Sequence, residues 1–154
     1  MEYLVGVGLA ASVGYLVALA GLRGDRFGER IRPGVDAEIA AAKAAEANGE
    51  PVASFRHLER AHVLGQSSTA QHVRAHLHML VWAARRHDAR EVTGQILRVI
   101  GAAAGTWAKL VPQGNTGGSN VSGFKSMPIP KDLADQIAAA RASHQRPKVR
   151  TDLS

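Results

Sequence analysis

The feature that most constrains this chain is an uncharged run near its N-terminus, from Tyr3 to Leu22. An α-helix of that length rises roughly 30 Å, which matches the hydrocarbon thickness of a bilayer. Arg23 and Arg26 follow the run, and basic residues mark the cytoplasmic flank of a membrane helix. The run therefore predicts a transmembrane anchor over residues 1–22, oriented N-out and C-in, with the rest of the chain on the cytoplasmic face of the membrane.

A cleavable signal peptide is the alternative interpretation of the same run. Ala18-Leu19-Ala20 has the small-x-small form of a cleavage site. A signal peptide, however, begins with positive charge and has a shorter apolar stretch, whereas the only charged side chain before this run is Glu2. The sequence therefore favours an uncleaved anchor.

Small side chains recur at every fourth residue of the predicted anchor. The repeat consists of Gly6, Ala10, Gly14 and Ala18. Because residues four apart share a helix face, they form a stripe that lets a second membrane helix approach closely. The stripe predicts a homodimer or a membrane-protein partner, although chance register in a chain rich in alanine and glycine explains it equally well.

The composition favours a small all-α domain after the anchor. Aromatic residues make up 5% of the 154 residues, so the core must consist of small and aliphatic side chains, which suit packed helices. The absence of cysteine excludes disulfides, thiolate metal sites and cysteine nucleophiles. The net charge is +6, but the basic clusters lack interleaved aromatics, which favours anionic lipid beside the anchor over nucleic acid as a partner.

Capping and breaking residues divide the rest of the chain into helices. Pro33-Gly34 closes a basic juxtamembrane linker at 23–35, a helical domain covers 36–142, and a basic tail covers 143–154. Short turns between the helices predict antiparallel hairpins of the tetratricopeptide type, although the full repeat signature is absent. A long glycine-rich loop precedes the last helix. The predicted helices are 36–47, 51–64, 69–86, 88–104 and 131–142.

Two long motifs in this domain are distinctive. They read FRHLERAHVLGQ at 55–66 and VPQGNTGG at 111–118. Both resemble the hallmarks of a family of short bacterial proteins classed only as a domain of unknown function. The resemblance covers about residues 33–137 and leaves the N-terminal run outside it. It implies a bacterial source and a helical domain, and it brings no established activity or cofactor.

Five imidazole and carboxylate side chains form a candidate metal site. Glu59-x-x-His62 has the i, i+3 spacing of carboxylate-bridged di-iron bundles, and His72-x-x-x-His76 puts two imidazoles one turn apart. Because a short turn joins the two helices, His62 and His72 are expected to meet, with Glu91 reaching in from the fourth helix. Imidazole and carboxylate together suit zinc or iron. The candidate ligands are Glu59, His62, His72, His76 and Glu91.

The same residues also fit an ordinary helical core. A di-iron bundle needs a second Glu-x-x-His motif, and Gly94 stands where the histidine would follow Glu91. His62 then becomes a hydrogen-bonded core residue. The glycine-rich loop either folds over the helices or cradles an anion with its amides, and it lacks the Gly-Lys-Ser/Thr of a P-loop.

The leading interpretation is a protein without catalytic activity or cofactor. In this interpretation a membrane-anchored helical accessory or assembly subunit binds a partner protein in a membrane complex. The alternative is a metal-binding protein or metal-dependent enzyme that holds zinc or iron on the five candidate ligands. The sequence leaves open whether the chain is an enzyme.

Overall fold

The computed structural model describes residues 26–103, 113–122 and 125–142, which form five α-helices and contain no strand. The all-α class is therefore confirmed for this part of the chain. Most helix limits lie at the capping and breaking residues expected from the sequence. Pro51 lies in the first turn of its helix. Asp88 precedes the fourth helix, and its Oδ1 accepts a 2.9 Å hydrogen bond from the Glu91 amide. The helices are α1 (Arg26–Ala47), α2 (Pro51–Gly65), α3 (Thr69–Arg85), α4 (Ala89–Ala103) and α5 (Lys131–Ala142).

No helix among the described residues is long and apolar enough to cross a membrane. The longest, α1, has 22 residues but carries charged side chains along its length, which hydrocarbon does not accept. This finding contradicts the predicted architecture of a transmembrane helix with a helical domain, and with it the predicted single-pass location in a bacterial cytoplasmic membrane.

The segment on which the membrane prediction rested, residues 3–22, lies outside the described residues, as does the basic tail at 143–154. The small-residue stripe belongs to that segment, so the role of a partner-binding subunit that depended on it stays a prediction. The stripe residues are Gly6, Ala10, Gly14 and Ala18.

Helix α1 begins at Arg26, well before the expected start at Asp36, and runs through Pro33. Proline lacks an N–H and crowds the carbonyl four residues before it, which normally costs about 3 kcal/mol inside a helix. Ile31 and Val35 flank Pro33 and are only 2% and 0% exposed. Burying two such side chains contributes about 1.5–3 kcal/mol each, which offsets the cost of the proline. The predicted linker is therefore helical from Arg26 onward.

Two apolar clusters position the helices around α2. The larger cluster joins α1, α2 and α5, and its buried members include Val35, Leu64 and Leu133. The smaller cluster joins α1, α2 and α3 through Ala42, Leu58 and Met79. Helix α3 in turn packs along α4. This packing brings together the C-terminal end of α2, the N-terminal end of α3 and one side of α4.

The glycine-rich loop, residues 113–122, folds onto these helices. The Gln66 side chain at the end of α2 donates to the Asn115 carbonyl at 2.7 Å and accepts from the Gly114 amide at 3.1 Å. From α4, Arg98 donates to the carbonyls of Gly118 at 2.7 Å and Val121 at 3.0 Å. The loop therefore covers the junction of α2, α3 and α4.

Candidate metal centre

Three histidine side chains meet under the glycine-rich loop, and together we call them the histidine triad: His62, His72 and His76. One ring nitrogen from each lies within 4.8 Å of the others. Nε2 of His72 is 2.9 Å from Nε2 of His62 and 3.0 Å from Nε2 of His76. The three residues are only 1–2% exposed. Three ring nitrogens therefore converge on one buried point.

A close approach between α2 and α3 brings the triad together. His72 and His76 share a face of α3 because they are one turn apart. The last residue of α2 is Gly65, and a Cβ there would lie 2.9 Å from the backbone carbon of Gln71. Only glycine permits this separation, so Gly65 allows the end of α2 to contact the start of α3. His62 then lies beside His72.

The partner of His62 sets its tautomer. Nδ1 of His62 lies 3.0 Å from the Asn115 carbonyl oxygen, which can only accept a hydrogen bond. Nδ1 therefore carries the hydrogen, and in the neutral ring Nε2 is a bare lone pair. This lone pair faces the other two rings.

The tautomer of His76 follows from a chain of polar side chains on α4. Nε2 of Gln95 donates to Glu91 Oε1 at 2.6 Å and to the Gly117 carbonyl at 2.9 Å. Both partners only accept, so the amide orientation is settled and Gln95 Oε1 accepts from His76 Nδ1 at 2.7 Å. Nε2 of His76 is thus also a bare lone pair in the neutral ring.

The triad is neutral at physiological pH. Burial lowers the pKa of His62 well below its usual range, and the two neighbouring imidazoles lower it further. Burial likewise lowers the pKa of His72 to about 4 and that of His76 to about 3, with the positive charge of Arg98 adding to both effects. Metal ligation requires neutral imidazole, which is the form that this environment maintains.

The spacing of the three Nε2 atoms suits a small tetrahedral ion. Zinc–imidazole bonds of about 2.0–2.1 Å separate ligand nitrogens by about 3.4 Å in a tetrahedron. The separations of 2.9 and 3.0 Å are a few tenths of an ångström shorter, so small outward turns of the rings admit the ion. Nδ1 of His72 is buried without a hydrogen-bond partner in the described part of the chain. Without a metal, Nε2 of His72 carries the hydrogen, because it faces the bare lone pairs of His62 and His76, and metal binding shifts this hydrogen to Nδ1.

The two predicted carboxylates lie outside the triad. Among the described residues, no carboxylate joins the three histidines within the 4.8 Å cluster. Glu91 instead accepts from Gln95 and from the Ser119 amide, at 2.9 Å for the latter, and so reaches His76 only through Gln95. Burial raises the pKa of Glu59, and the nearby charge of Glu91 adds to the rise.

Four residues that hold the triad in place were not among the sequence candidates. Gln95 follows Glu91 by one helical turn, and that spacing was the only local signal for it. Gly117 has a φ of +80°, and a Cβ there would lie 2.8 Å from the His62 ring, so loop backbone rests directly on the imidazole. The glycine-rich sequence indicated an unusual backbone conformation at this point, but it did not indicate the contact with His62. The four residues are Gln95, Arg98, Asn115 and Gly117.

The metal-free protein is expected to lose stability as the pH falls below about 6.5. The pKa values of His72 and His76 are about 4 and about 3 in the folded chain, against about 6.5 in the unfolded chain. Between these values the unfolded state binds more protons, so the free energy of unfolding falls by up to about 1.4 kcal/mol per pH unit for each histidine. Urea denaturation at several pH values from about 7.5 to about 4.5 measures the slope, and a flat profile would contradict the buried neutral triad.

The chain belongs to a family described as protein of unknown function (DUF3703), which matches residues 29–137. This span contains the whole triad and the glycine-rich loop. The predicted relation to a family of unknown function is thereby confirmed, whereas the bacterial source stays a prediction. No curated protein and no solved structure matches the chain.

Proposed function

We propose that this chain is a metal-binding protein that holds one divalent transition-metal ion on the Nε2 atoms of His62, His72 and His76. The observation that carries the proposal is the convergence of three buried neutral imidazoles, two of them held in the ligand tautomer. Without a metal, the single Nε2 hydrogen of His72 faces two bare lone pairs, and a cation at the centre replaces that shared hydrogen with three metal–nitrogen bonds.

Zinc is the first candidate among the metals. Carboxylate-bridged di-iron sites need several glutamates, and mononuclear iron oxygenases use two histidines and one carboxylate. Within the described residues no carboxylate reaches the triad. Three imidazoles with one open position, by contrast, form a known zinc ligand set, in which water or a small ligand completes the tetrahedron.

The surroundings of the triad also support a cation. Metal-bound histidines commonly donate their second ring N–H to an oxygen acceptor that orients the ring. His62 and His76 do so to Asn115 and Gln95. The carboxylate of Glu91, one hydrogen bond further out, offsets the positive charge that Arg98 brings close to the site.

Titration of the chelator-treated full chain with Zn²⁺ and with Co²⁺ tests the proposal. One equivalent of either ion is expected to bind, and bound Co²⁺ is expected to show the intense visible absorption of a four-coordinate site. Proton release should be small near neutral pH, because the ligands are already neutral. A chain that takes up less than a tenth of an equivalent of every divalent transition metal tested would refute the proposal.

Replacing Gln95 by leucine is expected to weaken zinc binding by about 10–100-fold, the usual effect of losing a partner that orients a ligand. The substitution removes the acceptor for His76 Nδ1 and disconnects Glu91 from the ring. Competition with a chromophoric chelator measures the Kd. Gln136→Leu, at an exposed position of α5, is the matched control and should leave the Kd unchanged. Equal affinities of the two variants would contradict a role for Gln95.

A further inference from the structure

A second site lies in a cavity of about 300 Å³ between α1, α2 and α3. Its wall is largely apolar and includes Ile39, Leu58 and Leu77, with the ring of Trp82 beside them. None of the residues that line it belongs to the histidine triad. The cavity is therefore separate from the proposed metal centre, and its size is at the lower end of small-molecule pockets.

Two buried donors in the cavity wall have no acceptor. The Ser54 hydroxyl and the Trp82 indole N–H both belong to lining residues, and neither has a hydrogen-bond partner among the described residues. Ser54 is only 1% exposed. An unsatisfied buried donor is unfavourable, and an indole N–H can only donate. The cavity thus lacks an acceptor that a bound molecule would supply.

The charges around the cavity favour an anion. Lys43 and Arg85 line it together with Glu46, which lies 3.6 Å from Arg85. Lys43 makes no ion pair within 4.0 Å in the part of the chain that the structure describes. Among these three lining residues the positive charges therefore exceed the negative charge by one.

We propose that this cavity binds a small organic monocarboxylate with an apolar body. The carboxylate oxygens accept hydrogen bonds from Ser54 and Trp82 and interact with Lys43, while the apolar body packs among the aliphatic side chains. An inorganic dianion fits less well, because the two inner donors are neutral and the wall is apolar.

Isothermal titration of the full chain with octanoate, and with octanamide as the uncharged analogue, tests the proposal. Octanoate is expected to bind saturably to one site. Octanamide is expected to bind at least about 10-fold more weakly. Ser54→Ala and Trp82→Phe are each expected to weaken octanoate binding by about 10-fold, because each removes one hydrogen-bond donor and keeps most of the side chain that lines the cavity.

The stability of the unliganded variants separates binding from folding. Ser54→Ala removes an unsatisfied hydroxyl, so its melting temperature should equal or exceed that of the unaltered chain. Ser67→Ala, in an exposed turn, is the control and should bind octanoate normally. Absence of saturable binding up to about 10 mM octanoate would overturn the proposal, as would equal binding of octanamide or full binding by both donor variants. These results do not depend on metal, so they test this site separately from the triad.

Discussion

The variant His72→Ala is expected to bind zinc at least about 1,000-fold more weakly than the unaltered chain. His72 is the central ligand, because its Nε2 lies within 3.0 Å of both other ligand nitrogens. Loss of an outer partner costs about 10–100-fold in affinity, and loss of a direct ligand must exceed that. Two imidazoles would remain, in a pocket without a carboxylate from the described residues to replace the third.

The same variant should also lose the stabilisation that metal confers. An ion that binds only the folded state raises the free energy of unfolding by about 4 kcal/mol at 1,000 times its Kd, which corresponds to a shift of more than about 10 °C in Tm for a domain of this size. Comparing the zinc-induced shift within each protein removes differences in baseline stability. Zinc should shift the Tm of the unaltered chain and leave that of His72→Ala in place.

His87→Asn is the matched control for the loss of an imidazole. His87 lies in the exposed turn before α4 with a φ of 56°, and asparagine tolerates that conformation. Its Kd and zinc-induced Tm shift should equal those of the unaltered chain. If His72→Ala behaved like this control, the triad would not be the metal site.

Gly117→Ala is expected to destabilise the metal-free fold by about 3 kcal/mol and to weaken zinc binding as well. A φ of +80° costs a residue with a Cβ about 1–2 kcal/mol. The added methyl group would lie 2.8 Å from three atoms of the His62 ring, and such overpacking costs a further 1–3 kcal/mol or so. The ring cannot move away freely, because it is buried and hydrogen-bonded to Asn115.

Gly49→Ala isolates the backbone cost, so its difference from Gly117→Ala gives the cost of overpacking. Gly49 has a nearly identical φ of +75°, but a Cβ there would meet nothing within 4 Å. It should therefore lose only the backbone contribution, about 1–2 kcal/mol, and keep its zinc affinity. Urea denaturation of both variants measures the difference. Equal losses of stability would show that the loop backbone does not press on His62.

The helices were largely predictable because their signals are local. Pro51 in a first turn, Gly65 at an end and Asp88 as a cap act within one turn of the residues that they affect. The early start of α1 was not predictable in this way. A local rule predicted a break at Pro33, and the burial of Ile31 and Val35 against other helices outweighed it.

The ligand set was only partly predictable for the same reason. The spacing of His72 and His76 places them on one face of a helix, and the short turn after Gly65 brings His62 near them. Whether Glu59 or Glu91 joined them depended on side-chain directions that spacing does not specify. In the structure Glu91 contacts Gln95 and Ser119 instead, and no carboxylate among the described residues enters the cluster.

The sequence by itself determined an all-α domain, most of its helix limits and the three histidines as candidates, because propensity, capping and periodicity operate over a few residues. Hydropathy alone led to a membrane-spanning architecture that the described helices contradict. Only the tertiary structure decided which nitrogen of the His62 and His76 rings is bare. That depends on contacts such as His62 with Asn115, 53 positions apart, and His76 with Gln95, 19 positions apart. Packing between distant segments, and not local pattern, makes three histidines into one site.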